Sequence, residues 1–84
     1  MSTEDVNVTF TVRVSLDESK FTPEFMQEFR ENFYAFYSIG DHYRHLAYLF
    51  VGGLCDNFPF IEGYGNAQDM GIQFQAVYTE MEIL

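Results

Sequence analysis

The chain is poor in positive charge. Four Lys and Arg stand against thirteen Asp and Glu, a formal net charge of −9 over 84 residues. Phosphate contacts need clustered cations, so direct binding to nucleic acid is not expected. The natural complement is a basic protein surface. Cysteine is nearly absent. A lone Cys55 allows no internal disulfide, whereas a secreted domain this small usually carries several. No apolar run approaches membrane-spanning length, so no membrane partner is expected. Met1–Asp5 is polar and acidic, without the basic and apolar regions of a signal peptide. A cytoplasmic location follows as the expectation. There is no Trp, no internal repeat, no low-complexity tract and no linker, so residues 1–84 read as one domain.

What the chain has in surplus is aromatic side chain. Ten Phe and six Tyr sit within a 48% hydrophobic composition. Large rings bury much area each, which helps a core near the lower size limit. Six tyrosines do not all fit such a core, so some are expected at the surface as interface anchors.

Val6 to Leu16 alternates strictly. Val6, Val8, Phe10, Val12, Val14 and Leu16 share one side and polar residues the other, the pattern of a half-buried strand. Thr22-Pro23 then reads as an N-cap followed by proline at the first helical position. Phe25, Met26, Phe29, Phe33 and Phe36 follow at helical spacing, predicting a helix from about Pro23 to Phe36 or Tyr37. Ser38 and Asp41 have capping-box spacing, and a second helix should run from Ile39 or Gly40 to Val51, ended by Gly52-Gly53. Phe58-Pro59-Phe60-Ile61 suits a short edge strand. Glu62-Gly63-Tyr64-Gly65 is turn chemistry, and Asn66 to Met70 suits one helical turn closed by Gly71. Ile72 to Leu84 returns to strand character, but its apolar set shifts phase midway. Ile72, Phe74, Ala76 and Tyr78 alternate first and give way to Val77, Thr79, Met81 and Ile83, which signals a bulge, a bend, or a strand buried on one face early and on the other late. The predicted fold is α+β, in the order β-α-α-(β)-β, with an antiparallel sheet of two or three strands and both helices on one face.

Two surfaces stand out as candidate interfaces. Glu24, Glu28 and Glu31 fall at i, i+4 and i+7 on one helix face. Helical rise spreads them over about 10 Å. Neighbouring carboxylates lie about 6 Å apart, comparable with phosphates along a strand. Asp17 and Glu18 extend the stripe, and Tyr34 and Tyr37 supply apolar anchors at the same helix end. The plain alternative is a solvated helix face. The second surface is helix two, apolar around most of its circumference. Tyr43, Leu46, Ala47 and Phe50 would either face the core or form a homodimer interface.

No catalytic, metal or cofactor motif emerges. His42 and His45 lie at i, i+3, but a zinc site needs further ligands, and Cys55 or Asp56 would have to fold back. They read as helix-surface histidines near Asp41. A nucleophilic Cys55 needs an electropositive setting, and its surroundings are acidic. Gly63 and Gly65 lack a phosphate-loop pattern and suit turns of positive φ. The chain therefore reads as a binding protein rather than an enzyme.

Three stretches carry a family resemblance. They are Phe21-Thr22-Pro23-Glu24-Phe25-Met26, Asp41-His42-Tyr43-Arg44-His45-Leu46-Ala47, and Phe60-Ile61-Glu62-Gly63-Tyr64-Gly65 leading to Met70-Gly71-Ile72. They resemble short proteins carried by bacteriophages and mobile elements of proteobacteria, among which are anti-CRISPR proteins. In size, charge and lack of catalytic motif the chain is similar to those inhibitors. The resemblance implies a phage-encoded inhibitor in the bacterial host cytoplasm. It would block a nucleic-acid-binding surface of a CRISPR effector or other host defence complex, with carboxylates where DNA or RNA would lie. It assigns no functional residue. The alternative reading is a small homodimeric structural or regulatory module without nucleic-acid mimicry.

Overall fold

The computed structural model describes residues 1–52 and 60–84. The elements run β1 (Val6–Ser15), a 3-10 turn (Glu18–Lys20), α1 (Pro23–Asn32), α2 (Ile39–Val51), β2 (Phe60–Ile61), β3 (Gly65–Asn66) and β4 (Gln73–Ile83). This is a small α+β fold. β1 pairs antiparallel with β4, and β2 pairs with β3 in a separate hairpin rather than as a third strand of one sheet. Cys55, Phe58 and Pro59 lie outside the described residues.

The phase change in the last strand is a bulge. Thr11 pairs with Tyr78 and Val12 with Ala76, leaving Val77 without a partner. Residues opposite one another in a ladder share a face. One extra residue therefore returns Thr79, Met81 and Ile83 to the face of Ala76 and Phe74. The ribbon keeps one apolar face along its length. The opposite face carries Asn7, Thr9, Thr11 and Arg13 against Glu82, Glu80, Tyr78 and Gln75.

Both helices are capped as the sequence predicts. Thr22 Oγ1 accepts from the Phe25 amide at 3.1 Å, with Pro23 at the first helical position. Ser38 and Asp41 form a reciprocal capping box at the start of α2. The predicted length of α1 is corrected, because it stops at Asn32. Phe29 and Phe36 in one continuous helix would stand about 10 Å apart along the axis. Breaking the helix lets Phe36 fold back and stack on Phe29, centroids 5.4 Å apart. Asn32 Nδ2 donates to the Glu28 carbonyl at 2.8 Å and Arg30 Nη1 to the Phe36 carbonyl at 3.3 Å, securing the turn from both sides.

The core lies at one end of the molecule, between α1, α2 and the β2–β3 hairpin. Phe21, Phe29, Leu46, Ile61, Tyr64 and Ile72 are its buried members. Two glycines allow the close approaches that shape it. Gly63 has φ +90°, and a Cβ there would sit 2.8 Å from the Phe29 ring. Gly71 has φ +67° and lies against Asp17, whose amide donates to the Met70 carbonyl at 3.0 Å. Asn66 to Met70 makes the single helical turn that the sequence suggests, with one 3.3 Å bond from the Met70 amide to the Asn66 carbonyl, and Gly71 closes it at positive φ. The radius of gyration is 15.3 Å, against about 12 Å for a compact chain of this length. The excess is the ribbon, which makes the molecule 52 Å long and only 23 × 20 Å across.

Candidate partner-binding surface

The α1 stripe is exposed along its length. Glu24, Glu28 and Glu31 all face solvent. Among the described residues the one ion pair joins Arg44 to Asp41, so no base neutralises the three. Arg30, the base nearest in sequence, is turned away. Its guanidinium lies over the Tyr37 ring, 5.0 Å from the centroid, while donating to Phe36. Glu31 instead accepts from Gln27 at 3.1 Å.

Asp17 and Glu18 differ from each other. Glu18 is exposed in the 3-10 turn. Asp17 caps that turn, accepting from the Ser19 hydroxyl at 2.6 Å and its amide at 3.0 Å. Those bonds hold its carboxyl below the ordinary carboxylate range. Asp17 is thus a structural cap whose charge still faces water.

Tyr34 and Tyr37 are exposed, on the connection after α1 rather than on its last turn. Tyr34 stacks on Phe36, centroids 5.5 Å apart, and sits 5.0 Å from His45. Beside it stands Phe33, also exposed, between two shallow hollows. One of about 270 Å³ is lined by Phe33, Tyr34, His45 and Glu62 among others. The other, about 480 Å³, is lined by Phe25, Glu28, Phe33 and Gly63 among others. An aromatic ridge is thereby flanked by Glu28 on one side and Glu62 on the other. Sequence reading missed Phe33 and Glu62 as surface partners. Helical periodicity assigned Phe33 to the core, and Glu62 arrives from a hairpin 29 positions further along the chain. The only signal was that an acid precedes the glycine that packs on Phe29.

The α2 residues are largely occupied within the chain. Leu46 is fully buried, and Tyr43 and Ala47 are half-buried. Phe50 stacks on Phe74 at 5.0 Å and tilts against Phe10 at 6.5 Å. Most of the apolar circumference of α2 is buried between two layers, α1 with the hairpin on one side and the ribbon on another, while Tyr48 and Val51 stay exposed. Leu46 has no surface left for a second chain.

The expectation of two surface histidines is corrected. His42 is 0% exposed, one turn from Leu46 on the buried face of α2. Phe21, Phe25, Phe29, Phe36 and Tyr64 surround its ring, with centroids 4.7–6.2 Å away. Its Nδ1 is 2.9 Å from the Tyr64 hydroxyl, and Nε2 has no hydrogen-bond partner among the described residues. Burial disfavours the imidazolium and lowers the His42 pKa, against a smaller opposing pull from Asp41. His45 is half-buried and shifted the same way by desolvation. Burial also pushes the Tyr64 hydroxyl well above its ordinary value. The Tyr64 hydroxyl thus satisfies one ring nitrogen of a fully buried imidazole, and the other stays unpartnered among the described residues. Among the described residues no group of three His, Cys, Asp or Glu is placed to hold a metal. No helix among them is long and apolar enough to cross a membrane. No family model, curated protein or solved structure matches the chain.

Proposed function

We propose that the chain is a non-catalytic binding protein that docks its α1 carboxylates on a basic surface of a nucleic-acid-binding partner. In that reading it acts as an anti-CRISPR-type inhibitor acts on a host defence complex. The observation that carries it is the stripe of Glu24, Glu28 and Glu31, exposed and without a basic neighbour among the described residues, beside an exposed aromatic ridge. Carboxylates steer and orient a cationic partner, whereas flanking aromatics supply desolvated anchoring and faces for guanidinium groups. Phe33, Tyr34 and Tyr37 provide the anchors, and Glu28 and Glu62 rim the hollows between them.

The test begins with capture of host proteins on immobilised chain at low and high salt. The purified captured protein is then titrated with its own nucleic acid in the presence of the chain. Competition is expected, with affinity falling steeply as salt rises. Glu28→Lys with Glu31→Lys should weaken binding at least tenfold, about 1.4 kcal/mol. A double variant that competes at full strength would remove the stripe from the reading.

A further inference from the structure

The outer half of the β1–β4 ribbon has an apolar face with no cover among the described residues. Val6, Val8 and Phe10 lie opposite Ile83, Met81 and Thr79, so all six side chains share it. Nearer the body the same face continues through Val12, Val14, Ala76 and Phe74. There α2 covers it through Phe50. Beyond Phe10 that cover ends, and Val6, Val8, Met81 and Ile83 remain 49–70% exposed. The other face of the same segment is polar, so solvent is expected on one side only. A two-stranded ribbon is marginal alone and needs something on its apolar side.

We infer that this face docks on the same face of a second copy. Two ribbons pack face to face about a twofold axis, with the helical bodies at opposite ends. The occupant follows from charge and area. A protein of net charge −9 meets its own copy at an electrostatic cost. The ribbon face carries no ionisable side chain, so self-docking opposes no like charges within the interface. Glu80 and Glu82 lie on the polar face and stay in water. Opposed bodies keep the acidic α1 surfaces furthest apart. They also bring each ribbon tip towards Phe10 of the other copy, where the cover from α2 ends. The exposed parts of Val6, Val8, Phe10, Met81 and Ile83 amount to on the order of 500 Å² per copy. The pair then buries up to about 1,000 Å², the lower limit for a specific interface and the size of a weak, reversible dimer. Ordinary aligned packing of two sheets about 10 Å apart accommodates side chains of this size.

Sedimentation equilibrium on the full chain, from about 1 to 200 µM, tests this, and a dissociation constant of micromolar order is expected. Met81→Glu places two carboxylates in the symmetric interface and should raise that constant at least about a hundredfold. Thr9→Glu, on the polar face, should leave it unchanged. If circular dichroism shows that Met81→Glu does not fold, Val8→Thr replaces it, with roughly a tenfold increase expected. Added salt should strengthen the dimer by screening two like-charged bodies, opposite to its effect on a basic partner. The dimer therefore stands or falls separately from the function proposed above. A wild-type monomer at all concentrations and salts overturns the inference, as does a dimer indifferent to Met81→Glu. A monomer that floats with phosphatidylcholine vesicles overturns it in favour of a lipid surface.

Discussion

The two ends of this molecule use similar residues in opposite ways. At the body, aromatic rings close on one another until an imidazole in their midst loses all contact with water. At the ribbon tip, Val, Met and Ile of equal hydrophobicity stand in the open. The difference is one of layers. Body residues are covered by α1, α2 and a hairpin, whereas beyond Phe10 the strands have only each other among the described residues. Apolar sequence pattern states which face wants cover. How far that cover extends depends on the length and path of the element above it.

The contrast can be broken from the body side most forcefully. Phe29→Ala removes the ring on which Phe33, Phe36, His42 and Tyr64 converge, and should cost about 3–5 kcal/mol in urea denaturation. Met81→Ala at the tip, measured at a concentration where the chain is monomeric, should change stability by less than about 0.5 kcal/mol. Equal losses would mean that the tip is covered within a single chain. Gly63→Ala ranks next, at about 2–3 kcal/mol, because it combines a positive φ with a Cβ pressed on Phe29.

Acid should act on the body through its histidines. Both have pKa values lowered in the folded state, so the unfolded chain binds protons that the folded chain resists. Their contribution is complete above the unfolded value of about 6.5 and is lost as pH falls through the lowered folded values. Denaturation midpoints should therefore drop between pH 7 and pH 5, with a slope of at most about 1.4 kcal/mol per pH unit for each histidine. His42→Gln should flatten that slope, leaving the part due to His45. Tyr64→Phe takes away the partner of Nδ1 and should cost about 1–2 kcal/mol. The smallest effect sharpens the comparison locally. Amide exchange at Val8 and Glu80 in the monomer should be much faster than at Leu46, which opens only with the core.

Much of this fold was legible in the sequence because its signals are local. Strict alternation gave β1, Thr22-Pro23 and the Ser38/Asp41 box gave both helix starts, and the phase slip in the last strand marked an irregularity that the pairing resolves as a bulge at Val77. What stayed hidden depends on contacts between distant residues. Nothing near Phe36 in sequence says that it will turn back onto Phe29 and end α1 four residues early. His42 looked like a surface residue because its partner, the Tyr64 hydroxyl, lies 22 positions away. The acidic stripe was readable from helical spacing alone. The ridge beside it was not, since Glu62 and Phe33 meet only through the hairpin.

The unpaired Val77 gives the ribbon one residue of slack. Any single deletion between Ala76 and Met81 can be absorbed by straightening the strand, with Met81 and Ile83 still opposite Val8 and Val6. A second deletion finds nothing left to straighten and turns the tip over, exchanging Met81 and Ile83 for Glu80 and Glu82. Over this stretch the chain tolerates a change in length of one, and the parity of the next change decides which face the tip presents.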